Sequence, residues 1–375
     1  MLKARIIERF SIVKKQNNRY HSFPTLAKVN DLILLTCRSG YSDSDEPHGR
    51  GGQVRLLSAA VTSPEQWQDH GVLFGESGGK GYELDALISG PFSSRASGTE
   101  LPQSVNDKQL ILITREYRVK QFNRNYMSYL DIDSLKALTG TGLNDASPSI
   151  STPLQRSLLK EEGGIDPSAC FGHIKTAADG ALLLCGYGVA PGESVVSPLL
   201  WHSYDRGRSW QLRAIVARST DYDKKLNEFS LAFCGNKKWL AVIRDNMEPH
   251  IICQAYSEDD GVSWSPPQET EICGHAPQLY YLNDKQHLML LRDLTVNQPS
   301  VSIYGSDNQG GTWQTIAELN VYAGGIYNGG YGDLIHLQND RYLAVYYVSD
   351  TEGSPWIEGV IFTLSIGDNR NVTLM

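Results

Sequence analysis

The chain has 375 residues, 41% hydrophobic and 20% charged, with a formal net charge of −8. This is an ordinary globular composition with enough apolar material for a sizeable core. It holds no Lys/Arg-rich run, which argues against nucleic acid, and no apolar run near the ~18 residues of a membrane span.

The start, MLKARIIERFSIVKKQNNRY, lacks the continuous apolar stretch of a signal peptide. The sequence therefore predicts a cytoplasmic protein, or one released without a cleaved signal, and a phage source also fits. ARIIERFSI reads as the first strand. Short apolar or alternating runs follow: DLILLTCR (31–38), GQVRLLSA (52–59), QLILITREY (109–117), ALLLCGYG (181–188), WLAVIRD (239–245), HLMLLRD (287–293) and RYLAVYYV (341–348). Each is bounded by Gly, Asn, Asp or Pro, the mark of strands between turns. SPEQWQD (63–69) reads as a turn, and DIDSLKALTG (131–140) could hold one short helix. The 35 glycines, 19 tyrosines and 7 tryptophans favour β structure throughout.

Cys37, Cys170, Cys185, Cys234, Cys253 and Cys273 form no CxxC pair. Most sit in apolar runs and read as buried free thiols rather than a metal site.

SYDRGRSW (203–210), SEDDGVSW (257–264) and SDNQGGTW (306–313) are one motif written three times, 54 and 49 residues apart. Its Asp, or Asn308 in the third copy, can accept backbone N–H groups in a tight turn. Its Gly can take positive φ, and its Trp buries a large ring against its own sheet. The motif reads as a hairpin staple, so Asp205 and Asp259 are not catalytic candidates. SAAVTSPEQW (58–67) and SYLDIDSLKAL (128–138) are degraded copies at earlier expected places. Four-stranded units repeated about an axis read as a β-propeller. The expectation is an all-β, six-bladed β-propeller of four-stranded antiparallel blades, one domain over 1–375, closed by the N-terminal strand lying beside GVIFTLSI.

These boxes resemble the Asp-box (BNR) repeat of the sialidase superfamily, whose members are six-bladed propellers with the boxes at the periphery. In that family a Tyr nucleophile is helped by a Glu, an Asp acts as acid/base, and three arginines bind the substrate carboxylate; a neutral Tyr avoids the repulsion an anionic nucleophile would meet. NEFSLAFCGNKKWLAVIRDN (227–246) is similar to the family's Glu-turn-strand-Arg segment, which implies Glu228 and Arg244. GGYGDLIHLQNDRYLAVYY (329–347) resembles the nucleophile segment and implies Tyr331. LLTCRSGYSDSDEPHGRGGQVRLLSA (34–59) resembles the first-blade stretch, implying Arg38 as a carboxylate ligand and Asp45 or Asp43 as acid/base. Arg292 matches a further arginine loosely. Ser22, in HSFP (21–24), stands where the family's Arg-Ile-Pro motif has its arginine.

His48 lies in the same loop as Asp45, and His275 and His173 each follow a Gly at a strand start. In a propeller these starts face the same end as Glu228 and Tyr331. With Arg115, in ITREYR, they complete a pocket suited to general acid/base work on a polar sugar. The resemblance thus implies a sialidase-like glycosidase with no cofactor, acting on a terminal anionic or polyhydroxylated sugar. In that reading Asp45 or His48 protonates the leaving oxygen. A polysaccharide lyase using His or Tyr and a non-catalytic carbohydrate-binding propeller are the alternatives. Sugar, linkage and oligomeric state are not legible.

Overall fold

The computed structural model describes residues 2–42, 48, 50–75, 81–90, 109–118, 122–131, 157–159, 167–190, 192–295 and 298–366. Apart from one 3-10 turn at Ser219–Tyr222, every regular element among them is a strand. The first are β1 (Leu2–Val13), β2 (Arg19–Val29), β3 (Leu32–Tyr41), β4 (Arg50–Ala60), β5 (Ser63–Phe74), β6 (Glu83–Ser89), β7 (Gln109–Arg118) and β8 (Phe122–Asp131). Then come β9 (Ser157–Leu158), β10 (Ala169–Cys170), β11 (Lys175–Thr176), β12 (Leu182–Val189), β13 (Val196–Ser203), β14 (Gln211–Ile215), β15 (Leu226–Phe233) and β16 (Trp239–Asp245). The last are β17 (Ile251–Ser257), β18 (Gln268–Tyr281), β19 (His287–Asp293), β20 (Ser300–Ser306), β21 (Gln314–Val321), β22 (Gly332–His336), β23 (Arg341–Val348) and β24 (Trp356–Ile366).

Four sheets are self-contained antiparallel blades: β2–β5, β6–β9, β10–β14, and β22–β23–β24 with β1 at its edge. The remaining strands form one seven-stranded sheet, β15 to β21 in order. The expected six separate four-stranded blades are corrected here. β18 is 14 residues long and unbroken: Gln268–Cys273 pair with β17, and Gly274–Tyr281 pair with β19. It is the last strand of one four-strand unit and the first of the next, so the two fuse into one sheet. A second correction concerns Ser63–Asp69, expected as a turn. It begins β5, paired with β4 from Ser63 opposite Ala60 to Asp69 opposite Leu57, with Trp67 packed against the core. The helix expected at 131–140 lies outside the described residues beyond Asp131.

The N-terminal strand lies beside the last one as expected, antiparallel from Leu2 opposite Ile366 to Val13 opposite Ile357. Apolar clusters fill the gaps between successive units. Leu34, Val54 and Leu56 of the first blade meet Ile88, Leu110 and Leu112 of the second. Leu26, Ile33 and Leu35 meet Leu343, Val345 and Ile361, joining first and last blades. Each sheet face is apolar, so stacking blades about an axis buries both.

The three Ser-x-Asp/Asn-x-Gly-x-x-Trp segments are the hairpins after β13, β17 and β20. Asp205 Oδ1 accepts from Ser203 Oγ at 2.7 Å and from Ser209 N at 2.8 Å, and Ser203 Oγ accepts Gly207 N at 2.7 Å. Gly207, Gly261 and Gly310 have φ between 81° and 85°, and Trp210 Nε1 returns to Gly207 O at 3.0 Å. Asn308 keeps the acceptor for Thr312 N at 2.9 Å but donates its amide to Thr312 Oγ1. Third strands end where first strands have also ended, so these hairpins lie at the far end of the sheets from the start of β15.

Burial works against the Asp205 charge, but hydrogen bonds from Ser209 and Ser203 outweigh it and hold the carboxyl below its usual range. Asp205→Ala is expected to lower stability by about 1–2 kcal/mol in chemical denaturation at pH 7. A depressed folded-state pKa stabilises above the unfolded value. The difference should therefore persist at neutral pH and fade once pH drops below about 3.9.

Candidate active site

Starts of first strands and ends of second strands meet at one end of the propeller around a cavity of about 360 Å³. Among the described residues its lining is mixed rather than apolar, with Asp85, Arg115, Glu228, Arg244 and Arg292 as its charged groups and Tyr117, Tyr187, Tyr327 and Tyr331 as its phenols. Several first strands carry a register shift near their start: between Ser22 and Thr25, Glu83 and Asp85, Leu226 and Phe229, and His275 and Gln278. An extra residue breaks the two-residue alternation and re-aims a side chain. That is how Phe23, Asp85 and Glu228 reach the lining of a cavity framed by otherwise apolar strands.

Tyr331 precedes β22. Its hydroxyl donates to Glu228, 2.7 Å from Oε1 and 2.9 Å from Oε2. Arg244 Nη1 donates to Glu228 Oε2 at 2.9 Å and to the Tyr331 oxygen at 3.0 Å. Phenol, carboxylate and guanidinium thus form a closed triangle drawn from residues 228, 244 and 331. Phe23 meets the Tyr331 ring edge-on with centroids 5.2 Å apart, and the Arg292 guanidinium lies 4.8 Å from its centroid. Burial pushes the Tyr331 pKa well above the ordinary phenol value and the Glu228 charge adds to this, while Arg244 and Arg292 oppose it. The resting phenol is neutral, and its proton already points at a base.

Gly330, beside Tyr331, is packed directly on Arg292. Its φ is +91°, and a Cβ there would stand 2.6 Å from Arg292 Cβ. Gly330→Ala is therefore expected to cost about 1–3 kcal/mol, seen as a lower denaturation midpoint at unchanged slope.

The structure brings Tyr331, Glu228, Arg244, Arg292 and Arg115 together on the cavity and separates others from it. Arg38 is not on the lining. Its Nε donates to Glu83 O at 3.0 Å, its Nη1 donates to His48 O, and it is 3% exposed. His275 is fully buried behind Arg292, whose Nη1 stands 3.1 Å from His275 Nδ1. A guanidinium only donates, so Nδ1 accepts and the imidazole is neutral with its proton on Nε2. Burial, then Arg244 and Arg292, drive its pKa far below the usual value. His173 Nε2 is spent on Asp333 Oδ1 at 2.8 Å and is likewise off the lining. His48 does line the cavity, but burial, reinforced by Arg38, lowers its pKa to about 3. Near neutral pH it has no imidazolium proton to give. Asp45 and Asp43 lie outside the described residues.

Sequence reasoning missed several residues. Asp85 faces Arg115 across the β6–β7 pair, and Arg115 Nη2 donates to Asp85 Oδ2. Tyr187 also lines the cavity. Asp333 is 1% exposed; its Oδ2 accepts Leu26 N at 2.7 Å, so it ties the last blade to the first beneath the site. The available signal for Asp85 was a charge flanked by Leu84 and Ala86 in ELDALIS. Ser22, at the place of the expected arginine, is fully buried, and its neighbour Phe23 supplies the wall there.

Among solved structures, the chain is similar to a protein of unknown function from Dyadobacter fermentans (TM-score 0.70, 16% identity), covering 97% of this chain and 100% of that one. It is similar to a mutant of Trypanosoma rangeli sialidase displaying trans-sialidase activity (TM-score 0.60, 12% identity), covering 94% of this chain and 58% of that one. It is similar to the α-L-arabinofuranosidase Arb93A from Fusarium graminearum (TM-score 0.64, 11% identity), covering 95% and 97%. No curated protein sequence matches. Fold and repeats together define a β-propeller of the sialidase/BNR superfamily. The model of one family, the BNR repeat-like domain, matches residues 166–358, and the chain belongs to that family.

Proposed function

We propose that the protein is a retaining glycosidase, one propeller domain over residues 1–375, that binds a polyhydroxylated sugar in the axial cavity. The observation that carries this reading is the Tyr331–Glu228–Arg244 triangle opening onto that cavity. The sialidase and arabinofuranosidase among the similar structures support it at the level of fold.

Tyr331 attacks the anomeric carbon as its proton passes to Glu228, so the bond to the leaving oxygen breaks without a free phenolate forming first. Arg244 donates to both oxygens before and after the transfer, holding Glu228 in place and stabilising charge on Tyr331. Water, giving its proton to the carboxylate left by the leaving-group acid, then cleaves the tyrosyl–sugar bond, and Glu228 returns its own proton to Tyr331. A carboxylic acid protonates the leaving group. Asp45 keeps that role, because His48 is neutral near pH 7.

Two displacements at one carbon return the starting configuration. With 4-nitrophenyl glycosides, including arabinofuranosides and sialosides, the first-formed sugar seen by NMR should retain its anomeric configuration. Inversion, or an unsaturated product absorbing in the ultraviolet, would contradict the mechanism.

A further inference from the structure

The cationic side chains lining the cavity are Arg115, Arg244 and Arg292, and the carboxylates are Asp85 and Glu228, among the described residues. Each guanidinium is engaged by the protein, and the buried Nε of Arg115 and of Arg244 lacks a partner among the described residues. Arg244 spends Nη1 on Glu228 and Tyr331 and Nη2 on Asn246 Oδ1 at 2.7 Å. Arg292 is 1% exposed, with Nε on Gly329 O at 2.6 Å, Nη1 on His275 and Nη2 on Tyr347 at 3.4 Å. The Tyr327 ring lies 5.9 Å from its guanidinium. Arg115 is ion-paired with Asp85. Arg38 is turned to backbone carbonyls, and Ser22 provides no charge.

A buried sugar carboxylate needs a guanidinium that presents a fork of unspent donors, or its desolvation goes uncompensated. Among the described residues no such fork is open: Arg292 has all three nitrogens engaged, the partnerless Nε of Arg115 and of Arg244 is itself buried, and Arg115 and Arg244 already face Asp85 and Glu228. Hydroxyls fit better. Asp85 Oδ2 is held by Arg115, whereas Oδ1 has no protein partner among the described residues, and the side chain is 26% exposed. It is a fixed acceptor open to the cavity.

Resting on the glycosidase reading, we infer that the sugar held in this cavity is uncharged, and that Asp85 Oδ1 accepts one of its hydroxyls. Arg292 then serves to position and electrostatically support Tyr331 rather than to bind substrate.

The test uses the full-length protein and non-hydrolysable 4-nitrophenyl thioglycosides, so that binding is read without turnover. Calorimetry compares arabinofuranoside, galactoside and glucoside with galacturonide, glucuronide and a thiosialoside. The galacto and gluco pairs differ only in CH₂OH against COO⁻. At least one neutral sugar should bind about tenfold or more tighter than every anionic one. Asp85→Asn should weaken that sugar about tenfold and narrow its advantage over the anions, because Arg115 loses its counter-charge. An anionic sugar binding as tightly as the best neutral one overturns the inference, and so does a panel in which no neutral sugar binds. Neutral thioglycoside binding without hydrolysis of any O-glycoside would sustain this inference while removing the proposed chemistry.

Discussion

Tyr331→Phe is expected to lower turnover at least about a thousandfold while leaving the protein folded. The hydroxyl is the atom that attacks, and no neighbouring side chain replaces it: Phe23, Phe171 and Tyr347 are the rings around it, and the Tyr347 hydroxyl is held by Arg292 Nη2 and Tyr327 O. The cost to stability is small, on the order of 1 kcal/mol, because Glu228 keeps its bond to Arg244 when the phenol is gone. Thermal unfolding alongside initial rates separates the two effects. Activity within tenfold of wild type would remove Tyr331 from the mechanism. Glu228→Gln gives a graded companion, since an amide cannot take the proton but preserves the contact with Arg244.

The largest effect on stability is expected at Asp333, two residues beyond the nucleophile candidate. Its carboxylate accepts Leu26 N of the first blade at 2.7 Å and meets His173 Nε2, from the third blade, at 2.8 Å. Three segments distant in sequence thus converge on one buried group under the cavity. Asp333→Ala leaves the buried Leu26 N–H and the mostly buried His173 without their acceptor and should cost about 3 kcal/mol or more. Asp333→Asn keeps an acceptor for Leu26 and, with His173 in its other tautomer, a donor for the imidazole. It should cost about 1 kcal/mol. Denaturant titration of the pair checks this, and equal losses for both variants would show that the carboxylate is not the tie between the blades.

The repeated staples were legible because their chemistry is local: four polar atoms, a glycine and a tryptophan within eight residues specify the hairpin. The closure by β1 was legible as well, from an alternating strand with no other partner. The fusion of two units through β18 was not. Nothing in QETEICGHAPQLYY marks a break or its absence, and continuity is decided by pairing on both sides. Glu228, Arg244 and Tyr331 stood out through the resemblance of their segments to the family's, and Glu228 and Arg244 also bound apolar runs, where a charge needs a partner. Arg38 carried the same signal and His275 that of a strand start after Gly, yet Arg38 donates to the backbone carbonyls of Glu83 and His48 and His275 meets Arg292. Burial of a charge shows that something compensates it, not what does. Asp85 was hidden for another reason. The register shift at Glu83/Asp85 turns it to the axis, and local alternation cannot foresee a shift set by the neighbouring strand.

Everything proposed for this site turns on whether the phenol of residue 331 becomes bonded to sugar. Incubation with an activated, fluorinated glycoside of whichever sugar is hydrolysed should trap that species, and peptide mass spectrometry should find the added mass on the segment containing Tyr331. An adduct on Asp85, on Glu228 or on no residue at all, under conditions where the reagent inactivates the enzyme, would contradict it.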